Sequence, residues 1–521
     1  MTVENNQTLG DWLAAQASLR PEATALVDMD GAMSYGELAS AVSALGSGLA
    51  RLGIGKGDVV AVQLPNIRAF VIAFLAIAAR GAIVQTLHMP YRSKELGELL
   101  KDSAAKAVIA TNAEKDSRTA DILSVRDQLP ALNHVIVVGP VPDGCSSLSD
   151  LMQTQVSAAD AVPVTTDDRY LLLYTSGTTA APKGVPHIYR SFLNNARSSS
   201  HELGVGQDDR ILSLAPMSHL YGLFTVHLAL ASGAAIILLP AFDPKTVLED
   251  LQNKKPSHVF AAPAHFAPFE ARGVLHPDHL TSVRLLCLSG ATVPRALASA
   301  IDSRMPEGKV IQLWGMSELQ AGTFGRLTDP EDKRFSTAGK AVPNTELRVV
   351  DDAGTPLSAG EEGALQVRGP SVFGGYLNRP EETQSAFDAE GWFSTGDLAI
   401  IDNDGFMSIT GRTKEIINRG GVKFNPVEME EILLNDPSIQ QCAIIPIPDP
   451  ILGEKGCLCV QLAPGGELVL ESVTARLERA GVAKYKWPED LLILNELPAT
   501  PTRKIMRGAL IEIVQNQKEK S

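Results

Sequence analysis

Short apolar runs alternate with stretches of helical periodicity over most of the first 340 residues, and this alternation restricts the fold more than any other feature. Residues 34–64 show the repeating unit. Ser34 and Glu37 have capping-box spacing, and Leu38, Val42, Leu45, Leu49 and Leu52 recur at helical intervals. Gly53 and Gly55 end the helix, and Val59–Val62 follows as a strand. Further strands are expected at 107–110, 134–138, 170–174, 211–214, 235–239, 258–261, 284–288 and 309–313. Strand–helix–strand repetition calls for parallel sheets covered by helices on both faces, the α/β class.

Near residue 340 the texture changes. Segments 345–351, 364–368, 397–401 and 406–410 read as short strands, with Asp402-Asn403-Asp404-Gly405 as a hairpin turn. After Gly411-Arg412 another unit begins, with Asn425 as N-cap, Pro426 at the first helical position, Glu428 as box residue, and strands at 442–447 and 457–462. The expectation is a large N-terminal α/β domain over 1–411 with helix-covered, mostly parallel sheets, including a β-rich subdomain from about 340. A small, mobile α+β C-terminal domain would occupy 412–521.

At 521 residues the chain exceeds one compact domain, and 45% hydrophobic with 20% charged residues is a soluble globular profile. The net charge of −14 argues against a nucleic-acid partner. Five cysteines at Cys145, Cys287, Cys442, Cys457 and Cys459 match no zinc or redox spacing and point to a reducing compartment, the cytoplasm. The first residues lack the basic and apolar regions of a signal peptide, so none is expected. The apolar stretches Ala69–Ala79 and Leu223–Leu239 are too short or too interrupted for a membrane span of about 20 residues.

Tyr174-Thr175-Ser176-Gly177-Thr178-Thr179-Ala180-Ala181-Pro182-Lys183-Gly184 follows a strand and concentrates hydroxyls, glycines and one lysine. Such a loop presents N–H groups, hydroxyl donors and an ammonium to a polyanion, and a nucleotide triphosphate suits it. It is not the usual P-loop, because Pro182 precedes Lys183 and Gly184 follows it. Trp314-Gly315-Met316-Ser317-Glu318 ends a strand, placing an aromatic ring suited to a flat base beside a carboxylate suited to Mg²⁺. Asp397, in Ser394-Thr395-Gly396-Asp397, is a natural acceptor for two ribose hydroxyls, and Arg412 has a fork suited to ribose or phosphate oxygens. Lys504, in Pro501-Thr502-Arg503-Lys504-Ile505, would be an ordinary surface charge but for this company.

Taken together and in this order, the segments resemble the acyl-adenylate-forming superfamily, which holds acyl- and aryl-CoA synthetases, peptide-synthetase adenylation domains and firefly-type luciferases. The chain looks most like an acyl-CoA synthetase. YTSGTTAAPKG is similar to the family's phosphate loop, WGMSE to its adenine and magnesium segment, and STGDL to its ribose segment. GRTKEIINRGG resembles the hinge, PTRKI the segment of the catalytic lysine, and APMSHLYGL (215–223) the entrance to the acyl pocket. Two positions depart from the pattern: Ala180 stands where the family usually has Gly, and Trp314 where it usually has Tyr.

The resemblance implies an ATP-dependent acid–CoA ligase that forms an acyl-AMP with release of pyrophosphate, then an acyl-CoA with release of AMP. It implies Lys504, His219 and Thr175 as catalytic residues, with Lys504 on the carboxylate and α-phosphate oxygens. Thr175, Ser176, Gly177, Thr178, Thr179 and Lys183 would hold the phosphates, and Glu318 would ligate Mg²⁺. Gly290, Ala291, Trp314, Gly315, Met316 and Ser317 would also bind ATP or AMP, with Trp314 on the adenine, and Asp397 and Arg412 would fix the ribose. The acyl pocket would comprise His219, Tyr221, Phe224, Leu228, Gly290 and Met316. Its apolar character favours a monocarboxylic acid of aryl, alicyclic or medium aliphatic type. Rotation about Lys414 would bring Arg419, Gly420 and Gly421 to coenzyme A. Two alternatives share these motifs: an adenylating enzyme that loads a carrier protein, and a catalytically dead nucleotide-binding regulator. The oligomeric state is not legible in the sequence.

Overall fold

The structure is a computed structural model, and it describes residues 7–113, 116–155, 163–175, 182–420, 422–500 and 504–518. Its strands form two large sheets and two smaller ones among these residues. In the eight-stranded sheet, Arg169–Thr175, Ile83–Thr86, Val59–Gln63, Ala107–Ala113 and His134–Val138 run parallel. Lys183–Ile188 returns antiparallel along Arg169–Thr175, pairing Lys183 with Thr175. In the nine-stranded sheet, Ala235–Ile237, Arg210–Ser213, His258–Ala261, Leu285–Leu288 and Lys309–Met316 run parallel, and Gln320–Phe324 follows antiparallel, with Lys340–Ala341 at the edge.

One apolar core joins the two sheets. Its centre is made by the helices Arg68–Ala79 and Leu220–Ser232, each buried along nearly all its length. That burial explains sequences without a polar face: a helix enclosed on every side needs no amphipathic stripe. No helix among the described residues is long and apolar enough to cross a membrane.

A four-stranded antiparallel sheet follows, built from Glu346–Val350, Glu362–Arg368, Phe393–Ile401 and Met407–Arg412. The turn at Asp402–Gly405 closes its last hairpin, with Asp402 Oδ1 accepting from the amides of Asp404 and Phe406 and Gly405 at φ +82°. The C-terminal unit has a five-stranded sheet running from Ile417 to Leu494. Helices Val427–Leu433 and Leu470–Arg479 cover one face, and Arg507–Lys518 the other. The apolar clusters of this unit contain only its own residues, from Ile417 onward.

The start of helix Val427–Leu433 differs from the capping box read from sequence. Asn425 Oδ1 accepts from the Val427 amide at 3.1 Å, while its Nδ2 donates to the Thr410 carbonyl. Glu428 does not reach back; its carboxylate pairs with Lys486 Nζ at 2.6 Å. By contrast, the capping box of Ser34 and Glu37 forms in both directions.

Candidate active site

A cleft of about 490 Å³ lies where the two large sheets, the antiparallel sheet and the C-terminal unit meet. Strand ends supply most of its groups, as expected for an α/β fold, where open loops gather beyond the carboxyl ends of parallel strands. Thr175 ends one strand, and Lys183 opens the next directly across the ladder. Ser176, Gly177, Thr178, Thr179 and Ala180, which lie between them, fall outside the described residues.

Lys183 Nζ sits 4.7 Å from the centre of the Tyr376 ring, and the Tyr376 hydroxyl donates to Glu318 Oε1 at 3.0 Å. Glu318 is only 5% exposed, and burial raises its pKa against the opposing hydrogen bond from Tyr376. A buried carboxylate on the far side of Tyr376 from Lys183 has the chemistry that suits Mg²⁺, which is usually held by one or two carboxylates plus substrate phosphates. Among the described residues no group of three or more His, Cys, Asp or Glu side chains forms a metal cage of its own.

Asp397 and Arg412 are paired residues of one hairpin. Arg412 Nε donates to Asp397 Oδ1 at 2.9 Å, and Trp314 Nε1 donates to Oδ2 at 2.9 Å. Burial works against the charge of Arg412, yet the Asp397 carboxylate holds its pKa above the usual value. Trp314 therefore differs from the expected stacking platform. Its ring packs over Gly322, where a Cβ would collide with it, and it is not among the residues lining the cleft. Gly290, Gly315, Met316 and Ser317 do line the cleft, whereas Ala291 does not. His187 Nε2 lies 2.7 Å from the Ser317 carbonyl and fixes that turn from behind.

Lys504 enters this cleft from the C-terminal unit, together with Thr500. The two residues are tied to each other: the Lys504 amide donates to Thr500 Oγ1 at 3.1 Å, and the Thr500 amide to the Lys504 carbonyl at 2.8 Å. Burial lowers the Lys504 pKa, and the nearby Arg412 lowers it further. Lys414 and Glu415 also line the cleft, close to the crossing between the units.

Across from Lys504 stands His219, the N-cap of helix Leu220–Ser232. Its Nδ1 accepts from the Tyr221 amide at 3.2 Å, so a neutral ring carries its proton on Nε2. Burial, reinforced by Lys504, lowers its pKa to about 4. His88 stacks against it with ring centres 6.1 Å apart and is lowered to about 3 by burial.

Tyr221 and Phe224, one turn apart on this helix, face the cleft with Met316 and Ala321. The Tyr221 hydroxyl donates to the Cys287 carbonyl at 2.8 Å. Leu228 continues the same helical face but is fully buried and does not line the cleft; it belongs to the core. Arg419 and Gly420 also stand away from the cleft: Arg419 pairs with Glu489, and the Gly420 amide donates to the Leu452 carbonyl at 2.7 Å. Gly421 is outside the described residues.

Cleft residues that escape a motif reading include Tyr376, His88 and Gln320. Only Tyr376 carries a local signal, because Gly374-Gly375 before it and Asn378 at φ +54° after it mark a turn.

Residues 13–377 match the AMP-binding enzyme family, and residues 428–504 match the AMP-binding enzyme C-terminal domain. The chain is 34% identical to a medium-chain fatty-acid–CoA ligase of Escherichia coli (strain K12), over 96% of this chain and 90% of that protein. It is 32% identical to a feruloyl-CoA synthase of Amycolatopsis sp, over 96% and 98%. Among solved structures, an anthranilate CoA ligase in complex with anthranoyl-AMP superposes with a TM-score of 0.90 at 27% identity, covering 99% of this chain and 98% of that one.

Proposed function

The chain belongs to the AMP-binding enzyme family, as an AMP-forming acyl-CoA synthetase whose family uses ATP and CoA as substrates, and from that premise we propose how its cleft works and on which acids. The substrate is a monocarboxylic acid of aryl, alicyclic or medium aliphatic type. The supporting observation is the position of Lys504: the C-terminal unit places it in a cleft whose far wall, Tyr221, Phe224 and Met316, carries no cation for a second carboxylate.

A carboxylic acid is ionised at neutral pH, so the first step needs no general base. The carboxylate oxygen attacks the α-phosphorus, the bond to the bridging oxygen breaks, and pyrophosphate leaves. The barrier is repulsion between two anions, and fixed positive charge in a water-poor site reduces it. Lys504 acts on the carboxylate and α-phosphate oxygens. Thr175 and Lys183 hold the phosphate chain, and Tyr376 orients Glu318 toward it. Glu318 would hold Mg²⁺, which supplies charge neutralisation on the phosphates when bound. Asp397, fixed by Trp314 and Arg412, takes the ribose hydroxyls.

In the second step the CoA sulfur attacks the acyl carbonyl, the thioester forms and AMP leaves. Arg419 and Gly420 lie away from the cleft while Lys504 occupies it, so the two steps use different placements of the small unit, related by rotation about Lys414. The proposed compartment is the cytoplasm, where ATP and CoA are present and the five free cysteines stay reduced.

Acid-dependent pyrophosphate release over a panel of carboxylic acids tests the first step. Thioester yield with free CoA against a phosphopantetheinylated carrier protein tests the acceptor. No release with any acid removes the adenylation reading, and thioester on the carrier alone transfers the activity to carrier loading.

A further inference from the structure

Asp102 closes helix Ser93–Asp102, whose apolar face packs with Leu172 and Tyr174 of the strand that ends at Thr175. A carboxylate in the last turn of a helix faces the negative pole of the helix dipole, so the helix itself gains nothing from an acidic residue here. The side chain serves two other elements instead. Asp102 Oδ2 accepts from the Tyr174 hydroxyl at 2.8 Å, and Oδ1 lies 3.7 Å from Arg379 Nη2. The Asp102 backbone carbonyl accepts from Asn378 Nδ2 at 3.1 Å. An ionised carboxylate and a carbonyl only accept, so the direction of these bonds is fixed.

Both partners lead straight to the phosphate side of the cleft. Tyr174 precedes Thr175 and pairs across the ladder with Gly184, which follows Lys183. Asn378 and Arg379 end the segment 373–379, which is stitched to the same strands. The Phe373 amide donates to the Glu318 carbonyl at 2.7 Å, the Tyr376 hydroxyl to Glu318 Oε1 at 3.0 Å, and the Leu377 amide to the Gly184 carbonyl at 2.8 Å. A Cβ on Gly184 would stand 3.0 Å from Leu377 Cβ, so the segment lies directly against the base of the two strands. Asn378, at φ +54°, makes the turn that brings Arg379 back to Asp102.

The groups assigned to the nucleoside stand elsewhere. Asp397 and Arg412 belong to the antiparallel sheet, and Gly290 lies just beyond the strand Leu285–Leu288 of the nine-stranded sheet. Asp102 therefore braces one side of the nucleotide site and not the other.

Resting on the adenylation reading above, we propose that Asp102 is a positioning residue for the β- and γ-phosphates of ATP. It ties Tyr174, next to Thr175, to Arg379, three residues past Tyr376, and so fixes the spacing between Thr175 and the group formed by Lys183, Tyr376 and Glu318. Misplacing a positioning group by about 1 Å can cost on the order of a hundredfold, even from a residue that touches no substrate. AMP and acyl-AMP lack the two outer phosphates, so their binding does not depend on this tie.

The test is calorimetric binding of ATP and of AMP to the unaltered protein and to Asp102→Ala, Asp102→Asn and Tyr174→Phe. Asp102→Ala is expected to raise the Kd for ATP tenfold or more and to leave the Kd for AMP within twofold. Asp102→Asn, which keeps an oxygen for the Tyr174 hydroxyl, should recover part of the loss. Thioester formation from supplied acyl-AMP and CoA should stay within twofold in every variant. Tyr174→Phe removes a single hydroxyl, and it carries the test should Asp102→Ala fail to fold; its Kd for ATP should rise severalfold with that for AMP unmoved. Unchanged ATP affinity in the folded variants overturns the assignment. Equal weakening of ATP and AMP also overturns it, because Asp102 would then support the fold in general. The underlying reading fails separately: no pyrophosphate release by the unaltered enzyme with any acid removes adenylation, whereas an active enzyme with indifferent variants removes the role of Asp102 alone.

Discussion

At the scale of single residues, Asp397 does not itself line the cleft but is held just behind Gly396 and Arg412, which do, and both of its oxygens are taken before any ligand arrives. Each oxygen keeps a further lone pair, so two ribose hydroxyls can join without displacing Trp314 or Arg412. Trp314→Phe keeps the packing over Gly322 but deletes one charge-assisted hydrogen bond, worth roughly 1.5–3 kcal/mol. The expected outcome is a KM for ATP raised about tenfold or more, with the KM for the acid little changed. Equal shifts in both constants would mean that the indole acts on the cleft as a whole. Lys504 makes a second prediction. Its pKa is lowered from 10.5, so its charge is lost on the alkaline side sooner than that of an ordinary lysine. Adenylation is expected to fall as pH rises through that lowered value. Lys504→Arg, which stays charged, should lose that limb even where its rate is lower. Lys504 was readable in the sequence only through the motifs around it, and the role of Trp314 was not readable at all. A tryptophan after a strand gives no sign whether its face or its N–H is the working part.

Elements add the reason these side chains converge. Helix Leu220–Ser232 begins at His219 and presents Tyr221 and Phe224 to the cleft within its first turns. Helical spacing made that face legible, but it did not show where the cleft stops, and Leu228 proves to be core. The helix approaches the preceding loop so closely at Gly222 that an added Cβ would strike the carbonyl oxygens of Pro216 and Ala215. Gly222→Ala must therefore shift the helix start, at a cost of about 1–3 kcal/mol for overpacking. Its melting temperature is expected to fall and the KM for the acid to rise, with the KM for ATP held within about twofold. Unchanged stability and acid binding would show that the loop yields instead. Strands and capping boxes with local signals, such as Ser34 with Glu37, were readable because their partners lie a few residues away. Helix Val427–Leu433 was misread at its start because Asn425 and Glu428 bond to residues distant in sequence, Thr410 and Lys486.

For the whole molecule, the decisive fact is that the C-terminal unit has apolar clusters of its own, separate from the large core. Contacts between such units are polar and exchangeable, so relative motion is the ordinary expectation. That separation, and the change of texture near residue 412, is what made two units legible. Their docking was not, because it depends on contacts such as Asn425 Nδ2 with the Thr410 carbonyl, which no local pattern encodes. Lys504→Ala is expected to lower acyl-AMP formation by a hundredfold or more, while thioester formation from supplied acyl-AMP stays within a few-fold. Equal loss of both half-reactions would contradict two placements of one small unit.

The buried histidines make the last whole-molecule argument. His88, His187 and His227 are lowered by burial to about 3, and His219 to about 4, from an ordinary 6.5. Between those values the unfolded chain binds protons that the folded chain refuses. Stability therefore rises with pH across that window and is lost as pH falls from about 6.5 toward 4. Each such histidine contributes up to about 1.4 kcal/mol per pH unit once it titrates in the unfolded chain. The midpoint for denaturant unfolding is expected to fall steeply between pH 6.5 and 4.5. The native conformation of His227 is tied to Tyr170 and Gln320, so His227→Phe should flatten the slope by about one histidine's share while costing stability at neutral pH. A slope untouched by that substitution would mean that His227 is protonated in the folded protein and donates from both ring nitrogens, to the Tyr170 oxygen and to the Gln320 amide oxygen.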